Sequence, residues 1–204
     1  MRFNSGVAIL GAGRSRRMGE PKLLLPWGRT SVLGHLIQTW TKLGVGQIAV
    51  VCASNAPEIN AELDRLEFAR QDRIANPSPD SGMFGSIQCA ARWRFWRSDL
   101  THFAITLGDQ PHLRQKTLEH LLEFAGAHPG KICQPLRCGR RRHPVIIPRE
   151  AFATLSVFAG SDLKQFLNAA PELLAGCETD DPGLDLDMDS PSDYARLRVL
   201  ADSP

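Results

Sequence analysis

The stretch Leu10-Gly11-Ala12-Gly13-Arg14-Ser15-Arg16-Arg17-Met18-Gly19-Glu20-Pro21-Lys22 gathers three arginines, one lysine and three glycines into thirteen residues. Small residues let a ligand approach the backbone, whose N–H groups can cradle phosphate oxygens. Arg17 and Lys22 supply positive charge where a nucleoside triphosphate would lose pyrophosphate. The stretch is not a dinucleotide fingerprint, because GxGxxG needs glycine where Arg16 stands and no helix start follows. It is not a P-loop either, because the GK[ST] tail is missing. A basic surface loop after an edge strand is the competing reading.

The elements around this loop follow from hydrophobic period. Gly6–Leu10 is an apolar run stopped by Gly11 and Gly13, which predicts a buried strand. Val32, Leu33, Leu36, Ile37, Trp40 and Leu43 recur at helical spacing, with Thr30 or Ser31 as N-cap and Gly44 as stop. Further strands are predicted at 47–53, 72–75, 102–107, 131–134, 144–147 and 173–177. Further helices are predicted at 57–66, 83–95, 114–127, 149–155, 162–168 and 191–200. Alternating apolar strands and helices predict an α/β chain with a mostly parallel sheet covered on both faces.

Composition narrows the classes. The chain has 204 residues, 43% of them hydrophobic and 23% charged, with a formal net charge of +2. That mixture suits one folded domain over residues 1–204, excludes intrinsic disorder and carries no global signature of nucleic-acid binding. No apolar run approaches the roughly 20 residues that span a bilayer. Val7–Leu10 is too short for a signal-peptide core, so a cytoplasmic location is expected. Cys52, Cys89, Cys133, Cys138 and Cys177 are odd in number and contain no CxxC pair, which predicts free thiols. The charge is unevenly spread. Residues 178–204 carry eight acidic and two basic residues, leaving +8 on the first 177.

The run LGAGRSRRMGEPK resembles the signature loop of the MobA-like nucleotidyltransferases, and within them the molybdenum cofactor cytidylyltransferases. Four further segments fall in the family's order: Asn76-Pro77 with Gly82-Met83 and Ser86; Gly108-Asp109-Gln110-Pro111; His143-Pro144-Val145; and Asp187-Met188-Asp189-Ser190-Pro191. The resemblance implies a Rossmann-like three-layer α/β/α sandwich of the nucleotide-diphospho-sugar transferase kind. It also implies transfer of CMP from CTP to the phosphate of molybdopterin cofactor, with release of pyrophosphate. Arg17, Lys22 and Asp109 are then the catalytic candidates. Leu10, Gly11, Ala12, Gly13, Arg14, Ser15, Lys22, Asn76, Gly82, Ser86 and Asp109 are the nucleotide-binding candidates. Asp109, at a strand end, is the first carboxylate for a magnesium ion, which favours oxygen ligands. The second comes from Asp187 or Asp189, with Asp189 the first choice.

Gln110, Arg142, His143 and Pro144 face the acceptor in this reading, with Arg137, Arg140 and Arg141 beside them. A phosphate nucleophile is already deprotonated near neutral pH, so His143 is not needed as a general base. Plain alternatives accompany each group. Asp109 can be a turn aspartate before proline, and Asp187 and Asp189 an acidic loop capping the last helix. Ser81 can cap the helix that follows it, and the arginines can be a solvated hairpin tip.

Three departures fall on this pattern. Arg142 stands where the family has glycine, Gly160-Ser161-Asp162-Leu163-Lys164 alters a later glycine–aspartate segment, and Gly11-Ala12-Gly13 matches neither the cytidylyl nor the guanylyl loop fully, Ala12 favouring the former. A guanylyltransferase, or a transferase using a sugar or polyol phosphate, keeps the same chemistry. A chaperone that binds molybdenum cofactor and hands it to a molybdoenzyme is the non-catalytic alternative.

Overall fold

The computed structural model describes residues 3–13 and 18–201. Every residue of β1 (Ser5–Leu10) is buried, as expected of a strand covered on both faces. β1 pairs in parallel with β4 (Gln47–Ala53) on one side and with β6 (His102–Leu107) on the other. It is therefore central, and the loop after it does not follow an edge strand. β4 continues to β5 (Arg73–Asn76), also in parallel. Beyond β6 the sheet runs through β9 (Val145–Pro148), β7 (Ile132–Arg137) and β10 (Leu174–Glu178). β9 is antiparallel to both of its neighbours, whereas β7 and β10 are parallel.

Alternate residues of the strands feed two cores. Val7, Ile9 and Val50 pack with α1 (Val32–Lys42), α2 (Pro57–Arg65), α4 (Gln115–Ala127) and α7 (Pro191–Ala201) through Leu33, Trp40, Leu63, Leu121 and Leu197. Ala8, Val51 and Ile105 pack with α3 (Met83–Arg92), α5 (Arg149–Leu155) and α6 (Leu163–Asn168) through Ile87, Phe152 and Phe166. The result is the three-layer sandwich, and all five cysteines are free. Among the described residues no helix is long and apolar enough to cross a membrane.

Several boundaries differ from expectation. α3 ends at Arg92, not 95, because Trp93 turns extended. Trp93 and Trp96 meet edge-on at 4.9 Å, and Trp96 meets Phe103 at 5.0 Å, so the aromatic run packs beneath the sheet instead of continuing the helix. One short hairpin went unforeseen, β2 (Pro26–Trp27) with β3 (Thr30–Ser31), whereas the hairpin offered for the arginine run is formed by β7 with β8 (Arg140–Arg141). The latter turns on Cys138 and Gly139, both at positive φ.

The chain runs one way from β1 through β4 to β5, then returns to place β6 on the other side of β1. Such a reversal opens a crevice at the carboxyl ends of the strands, where ligands collect in open α/β sheets. Two glycines shape it. Gly11 N–H donates to the Val51 carbonyl at 2.8 Å and Gly108 N–H to the Leu10 carbonyl at 3.2 Å. A Cβ on Gly11 would lie 2.6 Å from Leu23 Cδ1, and one on Gly108 would lie 2.9 Å from Leu23 Cδ2 and 2.8 Å from the Leu10 oxygen. Leu23 therefore wedges against both loops, and its buried position fixes Lys22 beside it on the short 3-10 turn Lys22–Leu24.

Gly108→Ala should accordingly cost about 1–3 kcal/mol of stability, because the Leu10 carbonyl is backbone and cannot swing aside. Urea unfolding measures this, and a variant as stable as the wild type would refute the wedge.

Candidate functional site

Lys22 closes the crevice electrostatically. Its Nζ lies 2.6 Å from Asp189 Oδ1 and 3.6 Å from Asp109 Oδ2. Three remote segments thus meet at one ammonium: the turn after the glycine loop, the turn after β6 and the extended strap before α7. The Met188 N–H donates to the Asp109 carbonyl at 3.1 Å, which ties the strap directly to the β6 turn. Met188 itself is fully buried, so the neighbouring aspartates are held in place by an apolar anchor.

Asp109 is poised rather than satisfied. Its Oδ1 is buried with no hydrogen-bond partner among the described residues. Burial raises its pKa above the ordinary 3.8; Lys22 opposes this, while the charges of Asp187 and Asp189 add to it. Asp187 is held differently, accepting from Gln110 Nε2 at 3.0 Å. Among the described residues no three His, Cys, Asp or Glu side chains converge as a closed metal cage. An orphaned carboxylate oxygen and a second carboxylate sharing one cation nevertheless fit a hard divalent ion. Such an ion commonly takes one or two carboxylates and completes its shell with phosphate oxygens and water.

Two adjoining pockets flank Lys22. One, of about 250 Å3, is lined by Leu10, Gly11, Ala12, Gly13, Lys22, Leu23, Gly82, Met83, Ser86, Leu107, Gly108 and Asp109. The other, of about 370 Å3, runs from Gly11–Gly13 and Lys22 towards Ala53, Asn55 and Glu58. Gly82 adopts φ +84 at the start of α3, a backbone state that glycine adopts without strain. It serves as N-cap there without a side-chain bond, while the Ser81 hydroxyl donates to the Ser78 carbonyl instead. Asn76 stays beneath the pocket. Its Oδ1 accepts from Ser78 N–H at 2.8 Å and its Nδ2 donates to Ser86 Oγ at 3.0 Å. Asn76 therefore positions Ser86, and only Ser86 reaches the wall.

The acceptor-side candidates gather next to Asp187. His143 packs against the Ile105 carbonyl, and burial holds its pKa below 6.5, so it is neutral near pH 7. Pro144 is buried beside it. Arg142 and Arg137 both pair with Asp185, Arg142 Nη2 lying 2.5 Å from Asp185 Oδ1. The arginine run is thus only partly a solvated tip: Arg140 and Arg141 are exposed, whereas Arg137 and Arg142 are not. Asp162 caps α6 by accepting from Gln165 N–H at 2.8 Å.

α7 is capped by Ser190 and Asp193, which exchange bonds as a capping box with Pro191 at the first turn. Asp187 and Asp189 are consequently not its caps. Buried Asp181 accepts from Gly183 N–H, Arg114 N–H and the Thr117 hydroxyl, so this acidic residue serves structure. Arg14, Ser15, Arg16 and Arg17 lie outside the described residues. Leu23, Leu107 and Asp185 are contributors that motif reading passed over; the apolar run after Lys22 was the available signal for Leu23.

The glycine-lined crevice at a strand-order reversal, with a lysine bridging two carboxylates, sits on the nucleotide-diphospho-sugar transferase fold. The fold is shared with a nucleotidyl transferase from Methanothermobacter, at TM-score 0.78, 20% identity and 97% coverage of each chain. The MobA-like NTP transferase domain model matches residues 7–173, and the chain belongs to that family. It is 24% identical over 193 residues to a molybdenum cofactor cytidylyltransferase of Escherichia coli, covering 91% of each chain. It is 29% identical over 193 residues to a nicotine blue oxidoreductase of Paenarthrobacter nicotinovorans, covering 88% of this chain and 90% of that one.

The buried carboxylate yields a pH prediction. Because the folded pKa of Asp109 is raised, the native state holds the proton more tightly than the unfolded chain. Ionisation therefore costs nothing well below 3.8, an increasing amount as pH rises through the raised value, and its full amount above it. Asp109→Asn, which leaves Lys22 its bond to Asp189, should melt higher than the wild type at pH 7, with the gain shrinking towards pH 3. Calorimetry across that range checks this, and a variant that melts lower at pH 7 contradicts it.

Proposed function

We propose that the chain is a magnesium-dependent cytidylyltransferase that passes CMP from CTP to the phosphate of molybdopterin cofactor. The observation that carries this reading is the Lys22 bridge between Asp109 and Asp189 at the mouth of a glycine-lined pocket. An oxygen of the acceptor phosphate attacks the α-phosphorus of CTP, the bond to the β-phosphate oxygen breaks, and pyrophosphate leaves with that electron pair. Positioning and charge neutralisation do most of the work in such transfers. Lys22 neutralises charge on the triphosphate, and Arg17 is assigned the same role. Gly11 and Gly13 let the backbone approach the phosphates. Asp109 and Asp189 would hold the divalent ion, which supplies Lewis-acid stabilisation of phosphate charge when bound.

Ser86 supports a pyrimidine. Its oxygen already accepts from Asn76, which leaves its hydrogen to donate to a base acceptor in the small pocket of about 250 Å3, whose size suits a one-ring base. The resemblance to a cytidylyltransferase points the same way. Gln110, Arg142, His143 and Pro144 are assigned to the acceptor side, and a molybdoenzyme is the expected recipient of the product.

Thermal shift with CTP, GTP, ATP and UTP, each with and without magnesium, tests the reading. Selective ligands stabilise by RT ln(1 + [L]/Kd), about 2.7 kcal/mol at a hundredfold excess over Kd. CTP with magnesium should give the largest shift, and Asp109→Asn should abolish turnover while remaining folded. Absence of a shift with all four nucleotides would overturn the transferase reading.

A further inference from the structure

A half-buried imidazole that takes no part in the transfer chemistry joins the turn after β6 to the acidic strap. His112 stands three residues after Asp109, and its Nε2 lies 3.0 Å from the Gly183 carbonyl. Burial holds its pKa below the ordinary 6.5, against the pull of the Gly183 and Leu186 carbonyls and of the Asp181 and Asp187 charges. The ring is therefore neutral near pH 7. A carbonyl only accepts, so the single hydrogen sits on Nε2 and is donated to Gly183. Nδ1 is buried with no partner among the described residues, which leaves the ring committed to the strap and without a second hydrogen to donate to a ligand.

The bond falls in the middle of an antiparallel run of contacts. Arg114 N–H and the Thr117 hydroxyl reach Asp181, His112 reaches Gly183, and Gln110 reaches Asp187. The run closes where the Met188 N–H meets the Asp109 carbonyl. One segment rises from 109 to 117 while the other falls from 188 to 181. The Gly183 carbonyl also accepts from Leu186 N–H at 3.1 Å, closing the turn Pro182–Asp185, from which the chain leaves extended at Leu186. The ring packs closely on this turn: a Cβ on Gly183 would lie 3.2 Å from His112 Cδ2. Asp187 follows that carbonyl by four residues and Asp189 by six, so a shift of the turn is passed on to both carboxylates.

We propose that His112 is a positioning residue for the strap. Its Nε2–H bond to Gly183 holds the strap in register on the β6 turn, and so sets how tightly the carboxylates gathered there take a divalent cation. The role of that cation rests on the transferase reading above, whereas the register of strap on turn does not.

The test compares two replacements in the whole chain. His112→Phe keeps a ring in the same space and removes the donor; His112→Gln gives up the ring and keeps an N–H of similar reach. Manganese is titrated without nucleotide, following the paramagnetic resonance signal of the free ion, and hydrogen exchange is read at the Met188 amide. His112→Phe should bind manganese roughly three- to tenfold more weakly and exchange Met188 faster by the same factor, the equivalent of one net hydrogen bond. His112→Gln should stay within about twofold of the wild type on both, since the bond itself is kept. A folded His112→Phe chain with wild-type manganese affinity and wild-type exchange overturns the proposal, and so does a His112→Gln chain as impaired as His112→Phe. If His112→Phe does not fold, His112→Asn takes its place, because its shorter amide stops short of Gly183: weaker binding than His112→Gln supports the proposal, and equal binding overturns it. If the wild type takes up no manganese, the metal part of the transferase reading fails, and the Met188 exchange alone decides the register.

Discussion

One ammonium organises this site. Lys22 draws together Asp109 and Asp189, carboxylates 80 positions apart in the chain, and without a cation between them they would repel each other. The geometry that brings Lys22 there is apolar. Leu23 fills the space that side chains on Gly11 and Gly108 would occupy, so packing against the central strands sets the position of the charge beside it. The strap carrying Asp189 is fixed in a similar way, through buried Met188 and its bond to the Asp109 carbonyl. Core packing thus supplies the precision, and the charges supply the chemistry.

The near-neutral formal charge conceals two separate encounters between the basic body and the acidic tail. At the first, Lys22 meets Asp109 and Asp189; at the second, Arg137 and Arg142 meet Asp185. Asp181 and Asp193 take neither part, since one is a buried hydrogen-bond hub and the other caps α7. An acidic stretch that reads as uniform in sequence is therefore divided by the fold into structural, cation-holding and arginine-holding positions. In ligand-free form each encounter satisfies charges that a triphosphate, a divalent ion or an anionic acceptor could otherwise engage.

Much of this was legible in the sequence. β1, β4 and β6 are largely buried and so read as mainly apolar runs, and Asp109 follows closely on a strand end. The β2–β3 hairpin was not, because two-residue strands carry no period and this one depends on a backbone turn at Gly28. α3 was read too long because Trp93, Phe95 and Trp96 are apolar whether they continue a helix or pack under a sheet. Asn76 and Ser86 read as equals, and only the hydrogen bond between them separates the supporting residue from the one on the pocket wall. The pairing of Asp185 with two arginines required the adjacency of β7 and β10, a non-local fact; the opposite charge of the two regions was its only trace.

The proposal that the carboxylates bridged by Lys22 hold a divalent ion is open to a direct measurement with manganese, whose free-ion paramagnetic resonance signal disappears on binding. A Lys22→Met chain should take up about one manganese ion without nucleotide and more tightly than the wild type, since the ammonium that competes for Asp109 and Asp189 is then removed. Uptake equal to or weaker than that of the wild type would mean that the ammonium and the metal do not share a position.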